Sequence, residues 1–217
     1  MMGGEIMPAI SSGFRMVEWN ERHVFQNDSS YALFYSNYMN QMYRCEYLPW
    51  GLFEVPFNPD AKGNFTLRLP KVPRELLLQA YSFFLNVYNE YGTESALQLF
   101  WDTDNGQYYW HVPTQLVSET TVHFTRDSYL EYHHWLIMDF HSHGRFCPFF
   151  SRTDNADEKG TRLYGVIGNL HTRPQFLLRA GSGGFFTDVL SQDIWLEDSE
   201  NALAAETLPI DRVIPLI

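Results

Sequence analysis

The sequence predicts an α/β fold, a β-sheet with helices packed on it, and three observations carry that expectation. From Pro73 to Tyr91, the residues Leu76, Leu77, Ala80, Phe83, Phe84, Val87 and Tyr91 recur at spacings of one, three and four, the signature of a helix with one apolar face. Two strand-like runs follow around the turn Asp102-Thr-Asp-Asn-Gly106, which reads as a hairpin. Further apolar runs, from Trp135 to Phe140, Thr161 to Gly168 and Pro174 to Ala180, read as buried strands. An apolar fraction of 45% leaves ample material for a core, and 13 Tyr with 17 Phe suit a sheet-rich chain.

In chain order, Met1 to Gly13 reads as a frayed tail. Arg15 to Asn27 holds a short strand with imperfect alternation. Between Tyr31 and Trp50, the residues Tyr31, Phe34, Tyr35, Tyr38, Met39, Met42 and Tyr43 form a stripe if the segment is helical. Such a stripe packs against the rest of the chain or, if exposed, docks a partner protein. Prolines make 49 to 73 extended, with Phe65-Thr-Leu-Arg-Leu69 as an edge strand. The expected organisation is therefore a small N-terminal α+β region, 1–72, and a second domain, 73–217, with the boundary at Pro70 to Pro73.

Proline suits the first turn of the long helix and Gly92 its end. Glu94 to Trp101 and Gln107 to Val112 form the hairpin, and Thr120 to Phe124 is a weaker strand. Asp127 to His134 is a polar, aromatic connection, and Gly181 to Gly184 is a turn that lacks the Lys-Ser/Thr of a phosphate loop. Thr207 to Ile217 is a short apolar tail expected to dock on the domain.

A formal charge of −11 argues against nucleic acid as a partner, since backbone phosphates call for a basic surface. Two cysteines make no disulfide framework, and neither a signal-peptide pattern nor a membrane-length apolar run is found, so a cytoplasmic protein without a membrane partner is expected.

The chemistry concentrates in His141-Ser-His143-Gly-Arg-Phe-Cys-Pro-Phe-Phe-Ser151-Arg-Thr-Asp154. His141 and His143 stand two apart at the end of an apolar strand and so project from one face. Ser151 with Asp154 has the form of a helix start, serine capping free N–H groups and aspartate favouring the dipole. Two imidazoles and a carboxylate suit zinc, leaving a fourth position open for water. Asp139, two before His141, is a candidate partner for an imidazole. Cys147 reads as an ordinary loop cysteine rather than a nucleophile, because the two histidines are better explained together as ligands.

This stretch resembles the metal-binding motif of the JAB/MPN family, whose JAMM metalloproteases carry His-Ser/Thr-His, seven residues, then Ser-x-x-Asp; here the interval from Gly144 to Phe150 is seven residues. Gly144 departs from the proline many members have there, which affects loop stiffness. The resemblance covers about residues 73 to 190 and implies a mixed, curved β-sheet flanked by helices, the cytidine-deaminase-like layout, with zinc held by His141, His143 and Asp154. It also implies an upstream glutamate as general base, at the head of a strand after a long helix. Glu94 fits that place, with Glu90 as the alternative.

On that resemblance Glu94 takes a proton from water and passes it to the leaving amine, while Ser151 donates a hydrogen bond to the oxyanion. The implied reaction is hydrolysis of an amide or isopeptide bond at the C-terminus of a ubiquitin-like or sulfur-carrier protein. The layout of a JAB domain behind a small N-terminal region is similar to that of the JAB component of bacterial PRTRC cassettes. This implies a ThiF-like, E1-related protein and a ubiquitin-like protein as candidate partners. Two alternatives stand beside it: an inactive MPN-type scaffold binding such a partner, and a metal phosphoesterase sharing only His-x-His and an aspartate.

Overall fold

The structure, a computed structural model, describes residues 41–196 and 207–216 in full, together with the backbone of strands at 14–19, 22–27 and 33–36. The chain begins with six consecutive strands, β1 Phe14–Trp19, β2 Arg22–Asn27, β3 Leu33–Ser36, β4 Met42–Leu48, β5 Gly51–Pro56 and β6 Asn64–Leu67, each antiparallel to the next. This corrects the expectation of an α+β region: among the described residues before Pro73 there is no helix. The stripe from Tyr31 to Trp50 is split between β3 and β4, while Tyr31, Tyr38 and Met39 lie outside the described residues, as does the segment 1–13. The physical reason lies in β4, where Tyr43 and Cys45 are buried and alternate with Arg44 and Glu46, a period of two that pairs with β5 across a tight turn at Pro49 and Trp50. β6 lies at the sheet edge, as expected for a strand in this proline-rich segment.

Helix α1, Arg74–Tyr91, follows, and Gly92 closes it at φ 69 with its N–H donating to the Tyr88 carbonyl. Its buried residues, Ala80, Phe83, Phe84 and Val87, sit at spacings of three and four, one face of the helix. That face packs on a six-stranded mixed sheet ordered β14-β13-β12-β11-β7-β8. The strands are β7 Ala96–Asp102, β8 Gln107–His111, β11 Trp135–Ser142, β12 Arg162–Gly168, β13 Gln175–Ser182 and β14 Phe185–Asp188. Only β11 and β12 run parallel; their neighbours are antiparallel. Leu97, Leu99, Ile137, Met138, Phe140 and Leu163 meet the helix in the core, each fully buried. Burying such a side chain stabilises by about 1.5–3 kcal/mol.

A three-stranded sheet, β9 Gln115–Val117, β10 Val122–Phe124 and β15 Val213–Pro215, completes the sheets, the C-terminal strand lying parallel to β9. The connection from Asp127 to His134 is a short helix, α2 Ser128–His133, capped by Asp127. Two more short helices are α3 Arg152–Asp157 and α4 Ser191–Ile194. Trp50 and Phe53 belong to the same core as α1, and β5 lies against β13 and β14, with Phe57 and Phe185 rings 4.3 Å apart. Among the described residues, no helix is long and apolar enough to cross a membrane.

Candidate metal centre

Strand register brings the titratable groups together. β11 pairs with β7 so that Asp139 faces Gln98 and His141 faces Ala96. Cross-strand partners share a face, so Ala96 and Gln98 lie on the face of His141 and Asp139, and Glu94, two residues before Ala96, continues it. Ala96 opposite the imidazole leaves room beside the ring. Its backbone is held by Gln115, whose side chain accepts from Ala96 N at 2.8 Å and donates to Ala96 O at 2.9 Å. Glu94 N donates to Ser118 O at 2.9 Å, fixing the approach to β7.

His143 lies one residue past β11, and its N–H donates to Ile167 O at 2.8 Å, while Ser142 N donates to Ser95 O at 2.9 Å. The backbone is thus clamped from both sides. Gly144 follows at φ 54, and a Cβ there would stand 2.5 Å from the Tyr88 ring of α1. Proline, confined near φ −65° and bulky, fits neither condition. Gly144→Pro is therefore expected to destabilise the fold by on the order of 2–3 kcal/mol, read as a lowered urea midpoint.

Ser151 caps α3 in a reciprocal box: its Oγ accepts from Asp154 N at 3.1 Å, and Asp154 Oδ2 accepts from Ser151 N at 2.5 Å. One carboxylate oxygen is thereby occupied, and the other, Oδ1, stands 3.7 Å from His141 Nε2. The Nε2 atoms of His141 and His143 are 3.2 Å apart. Among the described residues, His141, His143 and Asp154 form the one group of metal-ligating side chains whose donor atoms converge, all within 4.8 Å of one another. Two ligands of a tetrahedral zinc at about 2.0–2.1 Å lie about 3.3 Å apart, so the donor set fits that ion.

The protonation states suit ligation. Burial pushes His141 down to about 4, with the His143 and Arg179 charges adding to it and Asp154 and Asp139 opposing. Burial likewise lowers His143, against Asp154 and a hydrogen bond from its ring to the Cys147 backbone, so both rings are neutral near pH 7. For Asp154 burial acts upward, yet His141, the two Ser151 bonds and His143 together hold it below the ordinary range. Burial first, then the Asp154 charge, pushes Glu94 up to about 8.

These groups line one cleft of about 690 Å³, with Glu94, His141, His143, Ser151 and Asp154 all on its wall. Glu90 is exposed on α1 and does not line it. Cys147 is exposed and outside it as well. Asp139 lines the cleft but is bonded to Gln98 Nε2 at 2.9 Å and Arg162 at 3.3 Å, with Arg126 at 3.5 Å, rather than to an imidazole. Strand β10, Arg126, Phe146 and Phe149 also line the cleft, the Phe149 ring 4.5 Å from that of His143. Sequence reasoning gave none of these a role at the site, and two phenylalanines, Phe146 and Phe149, left half-exposed in the loop between the histidines and Asp154 are the signal it passed over. No protein-family model matches the sequence, and no curated protein matches it.

Proposed function

We propose that this chain is a zinc-dependent hydrolase of JAB/MPN type, cleaving an amide or isopeptide bond at the C-terminus of a ubiquitin-like or sulfur-carrier protein. The observation that carries the reading is the convergence of His141, His143 and Asp154 donor atoms within 4.8 Å in a cleft that also holds the Glu94 carboxyl. His141, His143 and Asp154 would hold the ion, which when bound supplies Lewis acidity and acidifies water at neutral pH. Glu94 is the general base: its carboxylate takes the proton from the attacking water and returns it to the leaving amine. Ser151 Oγ already accepts from Asp154 N, so its own hydrogen is free to donate to the oxyanion of the scissile carbonyl.

The substrate fits as an extended tail. β10 ends its sheet with one edge unpaired by any described strand, and Val122, His123 and Phe124 line the cleft. Addition of a strand there supplies main-chain bonds without demanding a particular sequence.

Metal content by mass spectrometry tests the site. Wild type is expected to carry about one zinc ion per chain, and His143→Ala to lose it. A wild-type protein that stays metal-free after zinc is supplied sinks this reading. Zinc retained in the variant removes His143 from the ligand set.

A further inference from the structure

We propose that Arg179 is the positioning residue of this centre, fixing the short helix that presents Asp154; the proposal rests on the metal reading above. Helix α3 has six residues and none of them is buried, so no apolar face holds it in place. A helix that short is not stable by itself in water. What grips it is one guanidinium. Arg179, on β13 and only 6% exposed, lies between the rings of Phe150 and Phe186, 3.8 and 3.7 Å from their centres. It donates from Nη1 to Asn155 Oδ1 at 2.6 Å, and from Nε and Nη2 to Glu158 Oε2 at 2.9 and 2.5 Å.

These contacts bracket the ligand. Phe150 precedes the cap Ser151, Asn155 follows Asp154 directly, and the Glu158 N–H donates to Asp154 O at 2.9 Å. The other end of the brace is the histidine strand: Arg179 is opposite Tyr164 on β12, and Tyr164 is opposite Asp139 on β11, two residues before His141. Arg179 therefore stands on the same sheet face as the histidines and sets the carboxylate at a fixed distance from them. Burial pushes the Glu158 carboxyl up to about 8 against the pull of Arg179, but both bonds fall on Oε2, so the grip holds whether or not Oε1 carries a proton. Lysine cannot replace this group, because it has neither the planar face for two rings nor the fork for two partners.

The test measures zinc affinity by competition with a chromophoric chelator, and the visible spectrum of the cobalt-substituted protein, for wild type, Arg179→Met and Arg179→Lys. Both variants are expected to bind zinc about 10–100-fold more weakly and to show an altered cobalt spectrum as the Asp154 oxygen leaves its place. A purely structural role would move the urea midpoint and leave affinity per folded molecule and the spectrum unchanged. Should Arg179→Met fail to fold, the double variant Asn155→Ala/Glu158→Ala, which removes both acceptors and keeps Arg179 between its rings, is expected to give the same loss. Unchanged affinity in a folded variant overturns the proposal, as does full rescue by lysine. A wild-type protein that binds no zinc overturns the metal reading itself, so the two failures are distinct.

Discussion

Glu94→Gln is expected to lower hydrolysis of a ubiquitin-like fusion by about 10²–10⁴-fold while zinc content stays at the wild-type level. Glutamine keeps the size of the side chain and loses only the ability to carry the proton from water to the leaving amine. On the proposed reading the ligand atoms belong to His141, His143 and Asp154, so the ion has no reason to leave. Glu90→Gln is the matched control: it removes a carboxylate of the same helix–strand junction, but one that is exposed and outside the cleft, and its activity is expected to equal wild type. Cleavage rates for both variants, normalised to zinc, decide the matter. Full activity in Glu94→Gln would falsify the base assignment.

The site was more legible in the sequence than the scaffold that holds it. A histidine pair at spacing two and a serine three before an aspartate are local patterns, and local geometry alone fixes the strand face and the capping box. The helix from Arg74 and the hairpin around Gly106 are equally local. The N-terminal region failed because its aromatic residues recur at spacings of three and four, whereas the period of two in β4 runs through Tyr43, Cys45 and Tyr47, one of which is not aromatic. What decides between them is pairing of β4 with β3 and β5, which periodicity within one segment does not contain. Arg179 was silent for a similar reason. Within Leu177-Leu-Arg-Ala180 it reads as an ordinary charge on a strand, and its partners Glu158 and Asn155 lie 21 and 24 residues away. Gly144 shows the same limit: the ring that forbids a side chain there belongs to Tyr88, on a different element.

Metal-free wild type is expected to lose stability as pH rises from about 4.5 to about 8, and Glu94→Gln to be spared that loss. In the folded protein burial and the Asp154 charge hold the Glu94 proton up to about 8, whereas in the unfolded chain the carboxyl releases it near its ordinary 4.5. Through that window the folded state binds more protons than the unfolded one, so stability falls with pH and the full penalty is present above pH 8. A shift of that size corresponds to on the order of 3–5 kcal/mol. Glutamine cannot ionise, so the metal-free variant is expected to be the more stable protein at pH 8.5 and to converge on wild type near pH 4.5. His141 and His143 also titrate, with the opposite sign, losing stability as pH falls below 6.5, but both proteins carry them and the difference between the two curves isolates position 94. Urea midpoints of the two chelator-treated proteins across this range make the test. Parallel curves would show that the carboxyl is not held protonated. Curves that separate above pH 5 would show the stability this chain gives up to hold a carboxyl beside its histidines when no cation is there to offset it.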